Sequence, residues 1–276
     1  MTEWVDCHVH SDISWDGSFS PARFCERALE LGLAGLVFTE HLELDPHGRG
    51  YARYDYDRAR REVDALRSRY GDRLYLGMGL EVSYRQDLEG DIARFLTGKT
   101  WDMIMVSVHE VMGIDCSDPD RAHELWEGDV EPTALLSTYL SEVQAAVETG
   151  WFDIVGHLDV FLRLGRQRWM EAAGEEGIQE GIRRCLGIVA ATPMALEVNT
   201  SGYRFSDPLL PACPHPAPYA LAWFRRLGGE KVTLGSDAHR PEHLAWCFQE
   251  AARLVREAGF PFITYYRDRR GAEIAL

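Results

Sequence analysis

The residues of this chain that could do chemistry are histidines and carboxylates, and most of them follow apolar, strand-like runs. His8 and His10 stand one residue apart in such a run, and alternate residues of an extended strand project to the same side. Later runs end in further potential ligands, at Glu40-His41, Glu81, His109, His157 and Asp237-Ala238-His239. Core packing does not explain this repetition. Clusters of imidazole and carboxylate groups are typical of sites for Zn, Mn or Fe.

The number of these groups exceeds the needs of one ion and suggests two or three divalent transition metals. The complete candidate set is His8, His10, Asp16, Glu40, His41, Glu81, His109, His157, Asp237 and His239. Three divalent ions would outweigh the charge of Asp16, Glu81 and Asp237, and would leave a positive pocket suited to a phosphate dianion. Taken singly, His41 or His157 could be a hydrogen-bonded core residue, and Asp16 a turn residue. The prediction therefore depends on the set.

The composition bounds the class of protein. The 276 residues suffice for one large α/β domain with a substantial core. No apolar run reaches the ~18 residues that span a membrane, and the N-terminus lacks the basic and apolar regions of a signal peptide. Six scattered cysteines without a Cys-x-x-Cys pair fit a reducing cytoplasm, and Cys7 is expected to be an apolar filler. The net charge of −15 argues against nucleic-acid binding.

Strand-like runs alternate with amphipathic stretches along the whole chain. The predicted strands are 4–9, 36–39, 74–81, 103–108, 153–156, 195–199 and 232–235, and the predicted helices are 21–31, 56–70, 133–149, 174–191, 216–227 and 242–258. This alternation predicts an α/β fold with a parallel sheet, and closure into a barrel would bring every strand-end ligand to one face. An open doubly wound sheet is the alternative, although the ligands come from too many strands for one crevice. Loops near 42–55, 110–130 and 200–216 are expected to shape the pocket.

From about residue 5 to 245 the chain resembles the PHP family, the polymerase and histidinol phosphatase superfamily, and within it the histidinol-phosphate phosphatases. The motifs that carry the resemblance are His8-Val9-His10-Ser11, Thr39-Glu40-His41, Gly156-His157-Leu158-Asp159, the segment 197–202 and the segment 235–240. The resemblance implies a distorted (β/α)7 barrel, similar to a TIM barrel, formed as a single domain by residues 1–276. It also implies a trinuclear metal centre.

The resemblance further implies roles for individual residues. Its nine metal ligands fall into three groups: His8, His10, Glu81 and Asp237 for a first ion; Glu81, His109 and His157 for a second; and Asp16, His41 and His239 for a third. Glu40 would orient a ligating histidine. Arg163 and Arg204 are expected to bind phosphate, with Ser201 and Arg240 as further substrate-binding candidates. Asp237, His239, Arg163 and Arg204 are the predicted catalytic residues.

The leading hypothesis is a cytoplasmic histidinol-phosphatase of histidine biosynthesis, which hydrolyses L-histidinol phosphate with a metal-bridging hydroxide as the nucleophile. One alternative keeps the site and changes the substrate to another small phosphate ester, such as a sugar phosphate or a nucleotide. Another is a catalytically silent metal-binding domain, which the complete ligand set disfavours. The expected partner is a small-molecule phosphate monoester, with neither nucleic acid nor a membrane involved. The identity of the metal and the oligomeric state stay open.

Overall fold

The computed structural model describes residues 4–117, 131–163, 166–204 and 212–276. Strands form where the sequence has short runs of aliphatic residues. In the described residues they are β1 (Val5–Val9), β2 (Gly35–Phe38), β3 (His41–Leu42), β4 (Tyr75–Ser83), β5 (Met103–Ser107), β6 (Glu110–Val111), β7 (Ile114–Asp115), β8 (Ile154–Val155), β9 (Ala195–Asn199), β10 (Val232–Gly235), β11 (Phe262–Arg267) and β12 (Arg270–Ala275). The seven predicted strands are all present, with ends that differ by one or two residues at most.

Seven of these strands form a parallel sheet that is nearly closed into a barrel. They neighbour one another in the order β1-β2-β4-β5-β8-β9-β10, and β3 adds a short parallel pairing to β4. Backbone hydrogen bonds join the two ends of this order. The N–H of Asp237 donates to the carbonyl of His8 at 2.8 Å, and the N–H of His10 donates to the carbonyl of Ala238 at 3.0 Å. The predicted barrel is confirmed, and residues of the candidate site themselves help to close it.

A hairpin formed by β11 and β12 fills the amino end of the barrel. Its Tyr266 and Ile274 pack in an apolar cluster with Val5, Cys7, Val37, Met103, Met105, Ile154 and Ala195. The two-residue turn of the hairpin, Asp268-Arg269, has positive φ at both positions, which matches a twisted hairpin. Sequence analysis did not predict this hairpin. Because apolar side chains occupy this end of the lumen, the polar pocket forms at the carboxyl ends of the strands.

The helices surround the sheet and bury the apolar stripes that their sequences carry. In the described residues they are α1 (Pro21–Leu31), α2 (Tyr56–Tyr70), α3 (Glu89–Leu96), α4 (Pro132–Glu148), α5 (Arg166–Ala190), α6 (Pro218–Arg226) and α7 (Phe248–Glu257). Helix α3 was not predicted, and α5 extends beyond its predicted start through a break at Gly174, where φ is 69°. Helix α7 begins at Phe248 rather than at 242 because Ala245 and Cys247 adopt positive φ. Within the described residues, no helix has the length and apolar character to cross a membrane.

Candidate metal centre

The carboxylate of Glu81 lies at the centre of the cluster of predicted ligands. Glu81 belongs to β4, which is otherwise apolar, and its side chain is fully buried. Its Oε1 atom is 3.1 Å from Nε2 of His157 and 3.4 Å from Nε2 of His109. The hydroxyl of Ser107 donates a hydrogen bond to the same oxygen at 2.6 Å. One oxygen of Glu81 therefore faces the histidines that follow β5 and β8.

The other oxygen of Glu81 faces the histidines of the first two strand ends. Its Oε2 atom lies 3.0 Å from Nδ1 of His41, 3.2 Å from Nε2 of His8 and 3.4 Å from Nε2 of His10. The rings of His8 and His10 have centroids 4.9 Å apart, as expected for residues on the same side of a strand. With imidazoles beside both of its oxygens, Glu81 could contribute a ligand atom to two metal-binding groups.

Asp237 and His239, which follow β10, lie beside the same cluster of predicted ligands. Oδ1 of Asp237 lies 3.5 Å from Nε2 of His10 and 3.8 Å from Nε2 of His8. Asp237 itself adopts φ 53°, a left-handed conformation that is uncommon for a residue with a side chain. Nε2 of His239 approaches Oδ2 of Asp16 at 2.9 Å. The same oxygen of Asp16 lies 3.4 Å from Nε2 of His41.

These residues fit divalent metal ions. Among the described residues, three sets have potential ligand atoms within 4.8 Å of one another: His10, His41 and His239; His8, His10 and Glu81; and His41, Glu81 and His109. The remaining predicted ligands, Asp16, His157 and Asp237, adjoin these sets through the distances given above. Nε2 of His10 is buried and makes no hydrogen bond with any described residue. A buried imidazole nitrogen without a partner is costly unless a ligand satisfies it.

The electrostatics of the cluster keep two carboxylates ionised and one imidazole neutral, while burial is outweighed by nearby carboxylates, which raise the pKa of His8, His41, His109 and His239. Burial disfavours a charge on Glu81 and Asp237, yet the adjacent imidazoles, His8 foremost, hold the pKa of both carboxyls well below the ordinary range. Burial, followed by the imidazoles of His41 and His239, holds the pKa of His10 well below its usual value. Metal ligands must be deprotonated, so ionised carboxylates and a neutral imidazole are the competent states.

Hydroxyl groups contact the Nδ1 atoms of two of these histidines, and carboxylates accept hydrogen bonds from the same hydroxyls. The hydroxyl of Ser14 lies 3.2 Å from Nδ1 of His10 and donates to Oε2 of Glu40 at 2.7 Å. The hydroxyl of Ser83 lies 2.8 Å from Nδ1 of His109. Ser83 also donates to a carboxylate, that of Glu43, at 2.5 Å. In both cases Nε2 is left facing the cluster, and Ser14 lies between Glu40 and His10.

Two arginines place positive charge beside the cluster. Arg163 ends the short turn Val160–Arg163 after β8, and Arg204 ends the turn Thr200–Arg204 after β9. The guanidinium of Arg204 donates to the carbonyls of Ser236 at 2.7 Å and Asp237 at 3.0 Å, and that of Arg163 donates to the carbonyl of Ser117 at 3.1 Å. Both arginines line the pocket that contains Asp237 and His239.

The other two substrate-binding candidates do not line this pocket. Arg240 extends to the surface, where its side chain is 59% exposed, 3.7 Å from the carboxylate of Glu242 and above the ring of Phe19. The role of Arg240 in substrate binding stays a prediction, which this position does not support. The backbone at Arg240 is extended, so its side chain projects opposite to that of His239. Ser201 is buried, and its N–H donates to the side chain of Asn199.

The pocket has a volume of about 320 Å³. Its lining comes from the predicted loops as well as from the cluster: Glu43, Asp45, Gly48 and Arg49 from 42–55; Glu110, Asp115 and Ser117 from 110–130; and Arg204 from 200–216. The parts of these loops at 118–130 and 205–211 lie outside the described residues. Trp15, Tyr84, Arg85 and Leu88 also line the pocket.

Comparison with known families agrees with this geometry. The PHP domain matches residues 6–201, a range that contains seven of the nine candidate ligands, and Asp237 and His239 follow it. The chain belongs to the PHP domain family. The resemblance predicted from the sequence motifs is therefore confirmed.

Relatives of this PHP protein match it over nearly its full length. The probable histidinol-phosphatase of Deinococcus radiodurans is 28% identical over 268 residues, which cover 96% of this chain and 97% of the relative. The histidinol-phosphatase of Lactococcus lactis is 26% identical over 256 residues, 93% of this chain and 91% of the relative. The crystal structure of the histidinol phosphate phosphatase from Lactococcus lactis, a complex with zinc, L-histidinol and phosphate, superposes with a TM-score of 0.80. It is 23% identical and covers 98% of this chain and 99% of its own. The two proteins share the barrel fold.

Sequence analysis of the PHP protein missed several residues that contact the predicted metal ligands. Glu197 on β9 lies 2.6 Å from Nδ1 of His8, although only its segment was singled out. A charged residue in a strand that is otherwise apolar was the available signal, the same signal that identified Glu81. Ser14, Ser83 and Glu43 carried no comparable signal, because hydroxyls and carboxylates in loops or at strand ends are ordinary surface residues in a sequence.

Proposed function

We propose that this PHP protein is a metal-dependent histidinol-phosphatase, a phosphomonoesterase that converts L-histidinol phosphate to L-histidinol and phosphate. The activity would reside in one domain formed by residues 1–276. The observation that carries the proposal is the position of Arg163 and Arg204 beside the histidine and carboxylate cluster in a single pocket. The relatives named histidinol-phosphatase, matched over more than nine-tenths of the chain, support the choice of substrate.

Three groups of residues would hold the metals. The cluster supports the assignment of His8, His10, Glu81 and Asp237 to one ion, Glu81, His109 and His157 to a second, and Asp16, His41 and His239 to a third. Glu81 would belong to two of the groups, since its two oxygens face different histidines. When bound, the metals would activate water near neutral pH and polarise the phosphoryl group.

The two arginines would bind the phosphoryl oxygens and neutralise the charge that develops on them. Their guanidinium groups are held in place by backbone carbonyls, so little reorganisation is needed when the charge appears. Arg204 is bonded to the carbonyl of Asp237, which ties the phosphate-binding charge to a proposed metal ligand. The phosphate would therefore lie between the arginine side of the pocket and the cluster.

The lining from Glu43, Asp45, Arg49, Arg85 and Glu110 supports an amino alcohol as the rest of the substrate. It carries three carboxylates, those of Glu43, Asp45 and Glu110, beside the guanidinium groups of Arg49 and Arg85. Arg85 pairs with Asp45 at 2.7 Å and with Glu110 at 2.5 Å. The excess of negative charge suits the ammonium group of L-histidinol phosphate, which a sugar phosphate lacks.

The direct test is phosphate release from L-histidinol phosphate by the purified protein, before and after chelation and after metal is restored. A panel of sugar phosphates, nucleotides and O-phosphoethanolamine runs in parallel. We expect chelator-sensitive turnover with the highest kcat/KM on L-histidinol phosphate. A higher kcat/KM on another ester would show that the proposed substrate is wrong and would leave the proposed metal site unaffected. The absence of turnover on every ester by protein that has bound metal would refute the proposal.

A further inference from the structure

We propose that Glu197 is a positioning residue that fixes the tautomer and orientation of His8, so that Nε2 of His8 is presented to a metal. The inference rests on the proposed metal site and does not depend on which phosphate ester is the substrate. Glu197 lies on β9 and is not one of the proposed ligands. Its effect on the reaction would be exerted entirely through His8 and the backbone of His157.

Both oxygens of Glu197 act as hydrogen-bond acceptors. Oε1 lies 2.6 Å from Nδ1 of His8, and both side chains are fully buried. Oε2 accepts the N–H of His157 at 2.8 Å and the side-chain amide of Asn199 at 3.2 Å. The orientation of that amide follows from its other atom, because Oδ1 of Asn199 accepts the N–H of Ser201 at 2.9 Å. Both groups that contact Oε2 are thus donors, and Nδ1 of His8 lies closer to Oε1 of Glu197 than to the amide nitrogen of Asn199, which is 3.5 Å away.

This arrangement selects one tautomer of His8. A neutral imidazole has one N–H and one free lone pair, so an Nδ1 that donates to Glu197 leaves the lone pair on Nε2. Nε2 is the nitrogen that faces the cluster, 3.2 Å from Glu81 and 3.8 Å from Asp237. A carboxylate behind a ligating histidine also raises the basicity of the ligand and holds the plane of its ring.

The neighbouring strand leaves space for this contact. A Cβ atom at Gly235 of β10 would stand 2.1 Å from Oε1 of Glu197 and 2.6 Å from Cβ of His8. Real Cβ atoms do not approach other atoms this closely, so any other residue at this position would displace the carboxylate, the imidazole or both. The glycine at the end of β10 is therefore explained by the contact between Glu197 and His8.

The substitution Glu197→Gln is a sharp probe because glutamine keeps the shape and loses one acceptor. In one orientation its NH₂ group faces the N–H of His157, and two donors oppose each other. In the other orientation its NH₂ group faces Nδ1 of His8, which must then accept, and the proton moves to Nε2. Neither orientation leaves both the backbone of His157 and the metal-binding tautomer of His8 satisfied.

The experiment measures zinc affinity by competition with a chromophoric chelator, without any substrate. We expect one zinc ion of Glu197→Gln to bind about 10- to 100-fold more weakly than in the native protein. The matched control is Asp102→Asn at the opposite end of the barrel. Asp102 is also a buried carboxylate whose two oxygens accept backbone N–H groups, those of Met78 at 2.8 Å and Asp268 at 3.1 Å. This control should lower thermal stability and keep native zinc affinity.

Native zinc affinity in Glu197→Gln would overturn the proposal, and so would an equal loss of affinity in Asp102→Asn. Nitrogen-15 NMR of the zinc-loaded native protein gives a second test, which uses no variant and so does not depend on whether a variant folds. We expect the ring of His8 to carry its proton on Nδ1, and a proton on Nε2 would refute the inference. Neither measurement involves phosphate esters, so an error in the proposed substrate would show only in the turnover assay.

Discussion

The substitution His239→Ala should abolish most catalysis while the fold persists. Nε2 of His239 lies 2.9 Å from Asp16, and its ring stacks on that of His10 with centroids 4.3 Å apart. Its side chain is 29% exposed, which makes it the most exposed of the six proposed histidine ligands. The alanine variant would therefore lose one metal ligand at the rim of the pocket and little buried apolar contact.

The size of the effect follows from the charge that is lost. Removal of one preorganised electrostatic partner of a transition state lowers kcat by about 10²–10³-fold, roughly 2.7–4 kcal/mol. Loss of a bound ion should cost at least that much, since it removes a larger charge than a hydrogen-bond donor carries. The free energy of unfolding of the metal-free protein should change by about 1 kcal/mol or less, because the side chain is partly exposed and lines a polar pocket.

The assay combines turnover of L-histidinol phosphate, metal content after gel filtration and thermal unfolding of the metal-free protein. His243→Ala is the matched control, because His243 is a partly exposed imidazole four residues further along the chain and belongs to none of the metal-binding sets. We expect His239→Ala to lose about one metal per chain and the control to lose none. Native turnover of His239→Ala at native metal content would refute the reasoning.

Three further outcomes are expected. Arg204→Lys keeps the charge but cannot donate to the carbonyls of both Ser236 and Asp237. The inhibition constant for inorganic phosphate should therefore rise about tenfold, and the metal content should stay native. An unchanged inhibition constant would remove Arg204 from the phosphate site. Chelation should lower the melting temperature reversibly, because ligands that bind the folded state stabilise it by about 4 kcal/mol at a thousandfold excess over Kd. Calorimetry before chelation, after chelation and after metal is restored measures this change. An unaltered melting temperature would count against metals in the native fold. Tyr266→Ala should lower the free energy of unfolding by roughly 3–5 kcal/mol, because the ring fills the amino end of the lumen; urea unfolding measures the change, and kcat of the folded variant should stay native because the pocket is at the other end.

The positions of the barrel strands could be predicted closely, because each strand has its own signal in the sequence. The runs that become β5 and β9 are fully buried in the sheet, and their apolar character is visible without any knowledge of their neighbours. The C-terminal hairpin could not be predicted in the same way. Ile263, Thr264 and Tyr266 are buried without a regular alternation, and the burial of Tyr266 depends on the lumen that the other strands create.

The sequence by itself determined the chemistry of the cluster, because ligand type and strand-end position are local properties. It indicated that His8, Glu81 and Asp237 would meet at the carboxyl ends of parallel strands. The tertiary structure decided the remainder: that Glu81 presents its two oxygens to different histidines, that Glu197 lies against Nδ1 of His8, and that Arg204 faces the pocket while Arg240 does not. These features depend on barrel closure and on single backbone torsions, and residues far apart in the chain acquire such contacts only when the sheet has closed.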